Sequence, residues 1–126
     1  MTRLKIAITI LVISITLSIA SITFITTTCA RLVDTLDEII VDIGKRNSVK
    51  AAESLQNAID YFEKIKPVLN LLEGQGETIE IRGDLNKAIF FYNATDYESC
   101  VLYLEECKTD LNRIIASNLP SISTIL

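Results

Sequence analysis

Hydrophobic residues follow two different patterns along the chain, and the pattern changes near residue 30. Residues 6–30 carry no charge and lie between Lys5 and Arg31. As an α-helix these 25 residues span about 37 Å at about 1.5 Å per residue, which exceeds the roughly 30 Å hydrocarbon core of a bilayer. The run therefore predicts one tilted transmembrane helix that contacts the lipid bilayer through residues 6–30.

The rest of the chain shows the three-and-four spacing of amphipathic helices. Two apolar stripes occur in succession, and both return 49 residues later with the same eight-residue step between them. The first pair is Leu32, Leu36, Ile39 and Ile43, then Ala51, Leu55, Ala58, Phe62 and Ile65; the second is Ile81, Leu85, Ala88 and Tyr92, then Cys100, Leu104, Cys107, Leu111 and Ile114. The sequence predicts an all-α fold in which a transmembrane helix precedes two antiparallel helical hairpins, packed either like tetratricopeptide repeats or as a four-helix bundle.

Capping residues mark where the second helix of each hairpin begins. Asn47 or Ser48 is the expected N-cap of the first, because both side chains can accept a backbone N–H bond. Thr95 and Glu98 have the spacing of a capping box at the start of the other. Both helix starts therefore have the residue types that stabilise an exposed helix N-terminus.

Other positions predict interruptions in the helices. Pro67 lacks a backbone N–H and should kink or end its helix, and residues 73–76 form a turn. Residues 78–85 alternate like a strand, but no second segment offers a strand partner, so we predict a helix there. The last helix is expected to end near Asn118, shortly before Pro120.

The flanking charges suggest how the apolar helix is oriented. Arg3 and Lys5 precede it, and positive residues favour the cytoplasmic side. Residues 1–30 are then a cytoplasmic stub and membrane span, while residues 31–126 form an acidic helical domain of net charge −6 outside the membrane. Two alternatives stay open: cleavage as a signal peptide after Ala20, or lipidation at Cys29.

Composition excludes several classes of function. The chain has no His, which removes triads with a His base and zinc–His sites. A net charge of −4 argues against binding nucleic acid. The sequence contains no phosphate loop, no metal-ligand spacing and no nucleophile–base pair, so we predict neither a cofactor, nor a metal, nor an enzyme. Adjacent carboxylates such as Glu105 and Glu106 diverge on a helix and are expected to be solvated.

Two cysteines invite a redox interpretation. Cys100 and Cys107 lie two helical turns, or about 10 Å, apart, which is too far for a disulfide between them. The 49-residue offset aligns them with Ala51 and Ala58. We therefore predict small core residues, with an intermolecular disulfide as the alternative.

One apolar cluster exceeds what a single buried helix face requires. Residues 88–92 are consecutive apolar or aromatic side chains, and Tyr103 follows on the next helix. Five such residues cannot share one face of a helix. Either the helix is buried on two sides, or Phe90, Phe91 and Tyr103 form a partner-binding patch.

The overall layout resembles a known group of small bacterial proteins. The shared features are a basic N-terminus, one membrane helix, the motif Leu36-Asp37-Glu38-Ile39, the segment 61–67 and the closing segment 120–126. In these the chain is similar to domain-of-unknown-function family 4363, found mainly in Gram-positive spore-forming lineages. The resemblance implies a membrane-anchored helical domain and brings no activity or site residues.

Together these patterns predict a single-pass protein of the cell membrane with its N-terminus in the cytoplasm and its helical domain outside. We expect it to act by protein–protein contact or as a scaffold at the cell surface. Its partners are the bilayer and another protein, with a homo-oligomer as an alternative. The stripes of Ser and Thr along the span either line a helix–helix contact or are polar residues that the bilayer tolerates. A secreted or lipidated ligand-binding module, released or tethered after processing, is the alternative function.

Overall fold

The described residues fold into four helices that pack as a bundle. The computed structural model describes residues 1–45 and 48–125, and within these ranges it contains helices and no strand. The all-α prediction is confirmed. The helices are α1 (Thr2–Gly44), α2 (Ser48–Glu73), α3 (Gln75–Asn93) and α4 (Tyr97–Ile125).

The predicted membrane span and the first hairpin helix form one uninterrupted helix. α1 contains 43 residues and is about 65 Å long. Residues 1–20 are exposed throughout, and burial in the bundle begins at Ile25 and continues through Thr28 and Cys29. The core thus begins within the predicted span, six residues before Arg31. No loop separates the apolar half of α1 from the half that packs in the bundle.

The contacts between helices distinguish the two predicted packings. Each helix packs against its neighbours in the chain, and α1 also packs extensively against α4. Lys108 on α4 forms an ion pair with Asp37 on α1. A stack of tetratricopeptide-like pairs would leave the first and last helices apart, whereas here the four helices close into a ring. The fold is therefore a four-helix bundle with short connections and antiparallel neighbours.

The apolar stripes identified in the sequence form the core. All of them are buried except Ile43, which is partly buried against the others. The 49-residue relation extends one step further, because Cys29 and Thr78 are also both buried. The two hairpins therefore contribute equivalent positions to one core, and Cys100 and Cys107 occupy the places of Ala51 and Ala58.

The turns show how each helix starts and stops. α4 begins one residue later than the capping-box prediction: Asp96 is the cap, and its carboxylate accepts bonds from the backbone N–H and hydroxyl of Ser99, at 3.2 and 2.8 Å. Thr95 instead turns the chain, with φ +60°. Gly74 connects α2 to α3 with φ +91°, a conformation in which a side chain is strained. The predicted cap Asn47 lies outside the described residues, and so does the side chain of Ser48.

Three predictions about interruptions have different outcomes. Residues 78–85 are helical, as predicted, and Ile81 and Leu85 face the core of the bundle from this segment. Pro67 does not end α2, which continues to Glu73. The expected end near Asn118 is wrong, since α4 continues to Ile125. A proline removes one helical hydrogen bond but leaves the bonds of the following turn intact.

Candidate functional site

The N-terminal half of α1 presents apolar side chains to its surroundings. Among the described residues α1 is the one helix long and apolar enough to cross a membrane, and almost none of its apolar stretch is buried in the bundle. Three hydroxyls in this half donate hydrogen bonds to carbonyls of the preceding turn, as expected for polar residues tolerated in lipid. These are Thr9 to Lys5 and Thr16 to Val12 at 2.8 Å, and Ser18 to Ser14 at 2.9 Å.

The predicted aromatic patch is assembled at the edge between α3 and α4. The rings of Phe91 and Tyr103 stack with centroids 5.5 Å apart and an interplanar angle of 4°. Phe90 meets Phe91 edge-on at 5.4 Å. The Lys87 ammonium lies 5.3 Å from the centroid of the Tyr103 ring, within cation–π distance. The structure thus brings all three predicted residues into one contiguous cluster.

The members of this patch differ in exposure. Phe90 is 66% exposed, whereas Phe91 and Tyr103 pack partly against the core. Ala88 and Tyr92 are buried, because they belong to the stripe that faces the other helices. At Phe90, α3 is therefore not buried on a second side, because the ring is exposed.

A groove of about 630 Å³ lies between α3 and α4 next to this patch, on the side nearer the start of α3. Four carboxylates and two cations line it: Glu80, Asp84, Glu106 and Asp110, with Lys87 and Arg113. Arg113 Nη1 lies 3.2 Å from Asp110 Oδ1. Although the groove is acidic, the described residues contain no group of three His, Cys, Asp or Glu side chains close enough to share an ion.

The electrostatics of this groove centre on one carboxyl. Burial raises the pKa of Asp84 to about 7, and a side-chain hydrogen bond with Asp110 and repulsion from Asp110 and Glu106 act in the same direction, while Lys87 opposes them. Sequence reasoning missed this pair. The 49-residue offset could have pointed to it, because Asp84 and Asp110 stand where the first hairpin has the uncharged residues Thr35 and Tyr61.

The cysteines provide no reactive group at the surface. Cys29, Cys100 and Cys107 are all buried. Burial raises the pKa of the Cys100 thiol to about 11 and that of Cys107 further. The prediction that Cys100 and Cys107 are core residues is confirmed, and a protonated buried thiol is a poor nucleophile.

Sequence reasoning also missed an apolar surface at the turn between α2 and α3. Leu71 is 84% exposed and Ile79 is 66% exposed, and Val68 and Leu72 are about two-fifths exposed beside them. These residues lie off the core stripe, which continues through Leu69. The signal in the sequence was the pair of leucines after Leu69, more than the stripe alone requires.

Comparison with known proteins gives no family for this fold. No family model matches the chain, and neither a curated protein nor a solved structure does. The resemblance to domain-of-unknown-function family 4363 therefore stays a prediction.

Proposed function

We propose that the protein is a single-pass membrane protein whose α1 anchors a four-helix bundle at the cell surface. The observation that carries this is the exposed apolar half of α1, which no other described part of the chain covers. Residues 6–24 lie outside the core and span about 28 Å, close to the roughly 30 Å of a hydrocarbon core. The core helix of a soluble protein would bury such a stretch instead.

Charge supports an orientation with the bundle outside. Arg3 and Lys5 precede the span, and the positive-inside rule places them in the cytoplasm. Protease added to protoplasts should therefore digest residues 31–126 while leaving a membrane-protected N-terminal fragment. An epitope fused before Met1 should resist digestion until the membrane is permeabilised. Digestion of that epitope in sealed protoplasts, with a protected bundle, would reverse the orientation.

We further propose that the bundle acts by contact with another protein through Phe90, Phe91 and Tyr103. Phe90 supplies an exposed aromatic ring that meets Phe91 edge-on, and Phe91 in turn stacks on Tyr103. Aromatic rings of this kind often anchor protein interfaces. A second copy of the chain is one such partner, which would make the protein a homo-oligomer.

A photoreactive phenylalanine analogue at position 90 tests this contact in native membranes. A discrete adduct is expected, and its mass separates a homodimer from a complex with a different protein. The matched control carries the analogue at Leu102, an exposed residue of α4. Equal crosslinking from both positions would contradict the proposed patch.

One alternative has a specific observation in its favour. Cleavage after Ala20 would release a bundle with a complete core, because the first buried residue is Ile25. Lipidation at Cys29 fits less well, since Cys29 is fully buried in the middle of α1 and processing there would remove Ile25 and Thr28 from the core. The alternative function is therefore a secreted ligand-binding module.

A further inference from the structure

We infer that the α2–α3 turn is a second membrane contact, which inserts Leu71 and Ile79 into the interface of the bilayer that α1 spans. This inference rests on the proposed anchoring by α1. The occupant of the surface is lipid, at the boundary between headgroups and acyl chains. The bundle would then stand on the membrane through two points instead of one.

The direction of the helices places the turn at the membrane end of the bundle. α1 leaves the core at Ile25 and continues into its exposed apolar half. α2 runs antiparallel to α1, so its C-terminal end lies beside that exit and its N-terminal end lies at the far side. The α2–α3 turn at Gly74 therefore faces the same way as the proposed span.

The rise along the two helices gives the level of the turn. Measured from the far end of the bundle, Ile25 lies about 29 Å along α1 and Leu71 about 35 Å along α2. Leu71 thus extends roughly 6 Å beyond the point where α1 leaves the core, which matches the roughly 5–10 Å depth at which interfacial apolar residues bury. Because α1 has no break between span and core, the bundle cannot swing away from this position without bending a helix.

The chemistry of the turn suits a lipid interface better than bulk water. Leu71 and Ile79 are 84% and 66% exposed, and Val68 and Leu72 extend the same apolar surface. The turn is also held in place. Thr78 at the start of α3 donates its hydroxyl to Asn70 Oδ1 on α2, and Arg82 Nε lies 3.4 Å from Glu63 Oε1.

Charges near the turn nearly cancel, so burial of apolar side chains would supply most of the membrane affinity of the turn. Three cations lie farther from the span than the turn does, at a level where lipid headgroups would contact them: Lys64, Lys66 and Arg82. Glu63 pairs with both Lys66, at 3.3 Å, and Arg82. Glu77 and Glu80 oppose adsorption to an anionic surface, and a zwitterionic bilayer is therefore the appropriate probe.

Tryptophan fluorescence tests the contact directly, because the chain contains no Trp. The variant Leu71→Trp is prepared in the full chain and reconstituted into phosphatidylcholine vesicles with and without brominated lipid. Val49→Trp is the matched control: it lies at the opposite end of α2 and is 79% exposed. Leu11→Trp reports on the span itself. Ile79→Trp repeats the test from α3, should Leu71→Trp fail to fold.

We expect Leu71→Trp to emit at shorter wavelength than Val49→Trp and to lose intensity to brominated lipid, while Val49→Trp loses none. If brominated lipid quenches Leu11→Trp but Leu71→Trp and Ile79→Trp behave like Val49→Trp, this inference is overturned and the anchoring stays intact. Absence of quenching at Leu11→Trp would overturn the anchoring and the inference with it.

Discussion

The carboxyl groups of Asp84 on α3 and Asp110 on α4 share a hydrogen bond in the groove between these helices. The corresponding positions of the first hairpin, 49 residues earlier, are Thr35 and Tyr61. The two hairpins are therefore alike in the core and different at this surface. A shared proton between two carboxyls makes the second hairpin sensitive to pH.

The contribution of Asp84 to stability should fall as pH rises between about 4 and 7. The pKa of Asp84 is about 7 in the folded chain against an ordinary 3.8, so the folded state binds this proton more tightly than the unfolded state. The stabilisation that this proton provides is complete below the pKa of Asp84 in the unfolded chain. It is lost as pH rises through the pKa of Asp84 in the folded chain. Asp84→Asn cannot ionise, and we expect it to melt at higher temperature than the parent at about pH 8 and at the same temperature near pH 3.

Thermal unfolding of the detergent-solubilised full chain, followed by far-UV circular dichroism, measures this difference. Asp34→Asn removes an exposed carboxyl of α1 and is the control. A melting temperature for Asp84→Asn that equals the parent's at pH 8 would remove the carboxyl pair as the source of the pH dependence.

Local periodicity was sufficient to predict the core and the fold class. Leu36 and Leu104 lie on stripes whose spacing leaves one buried face, so helix and burial follow from the same pattern. The choice between a repeat stack and a bundle could not be made in this way. It depends on whether α1 meets α4, a contact between residues more than 60 positions apart, as in the Asp37–Lys108 pair.

Two glycines should respond to alanine in opposite directions. Gly74 has φ +91°, so Gly74→Ala should cost about 1–2 kcal/mol of stability. Gly83 lies within α3, and apart from the adjacent residues and the nearby backbone of α3 itself no atom lies within 4 Å of the place that a Cβ would occupy. Gly83→Ala should therefore stabilise by about 0.5–1 kcal/mol. Denaturant unfolding measures both, and a stabilising Gly74→Ala would contradict the turn geometry described here.

The buried thiols should resist alkylation in the folded chain. Burial raises the pKa of Cys100 and Cys107, which keeps both protonated near neutral pH. Iodoacetamide should therefore modify neither in detergent and both after denaturation, as intact mass records. Val49→Cys supplies an exposed thiol for comparison, and labelling of Cys100 at the rate of that thiol would contradict its burial.

The start of α4 offers a test between two caps. Asp96 accepts the backbone N–H of Ser99, so Asp96→Ala should cost about 0.5–2 kcal/mol. Glu98 would be the important residue if the capping box formed from Thr95, but Glu98→Ala should change stability by no more than about 0.5 kcal/mol. Chemical denaturation measures both variants. A larger loss of stability for Glu98→Ala than for Asp96→Ala would indicate that the capping box forms instead.

The candidate surfaces were only partly predictable. Phe90 was identified because five apolar residues exceed one helix face, a property visible in the sequence. Its difference from Phe91 was not, since exposure depends on the angle at which α3 meets α4. Leu71 was missed for a related reason: its position relative to the proposed membrane depends on α1 continuing unbroken into the bundle, and a loop near residue 30 would have been compatible with the same sequence pattern.

The anchoring by α1 is tested most directly by the intact mass of the protein in alkaline-washed membranes. We predict that the pellet retains a chain with residues 1–20 still attached. Alkaline washing releases peripheral proteins but not a helix that spans the bilayer. A shorter chain beginning after Ala20 and recovered in the soluble fraction would contradict the account.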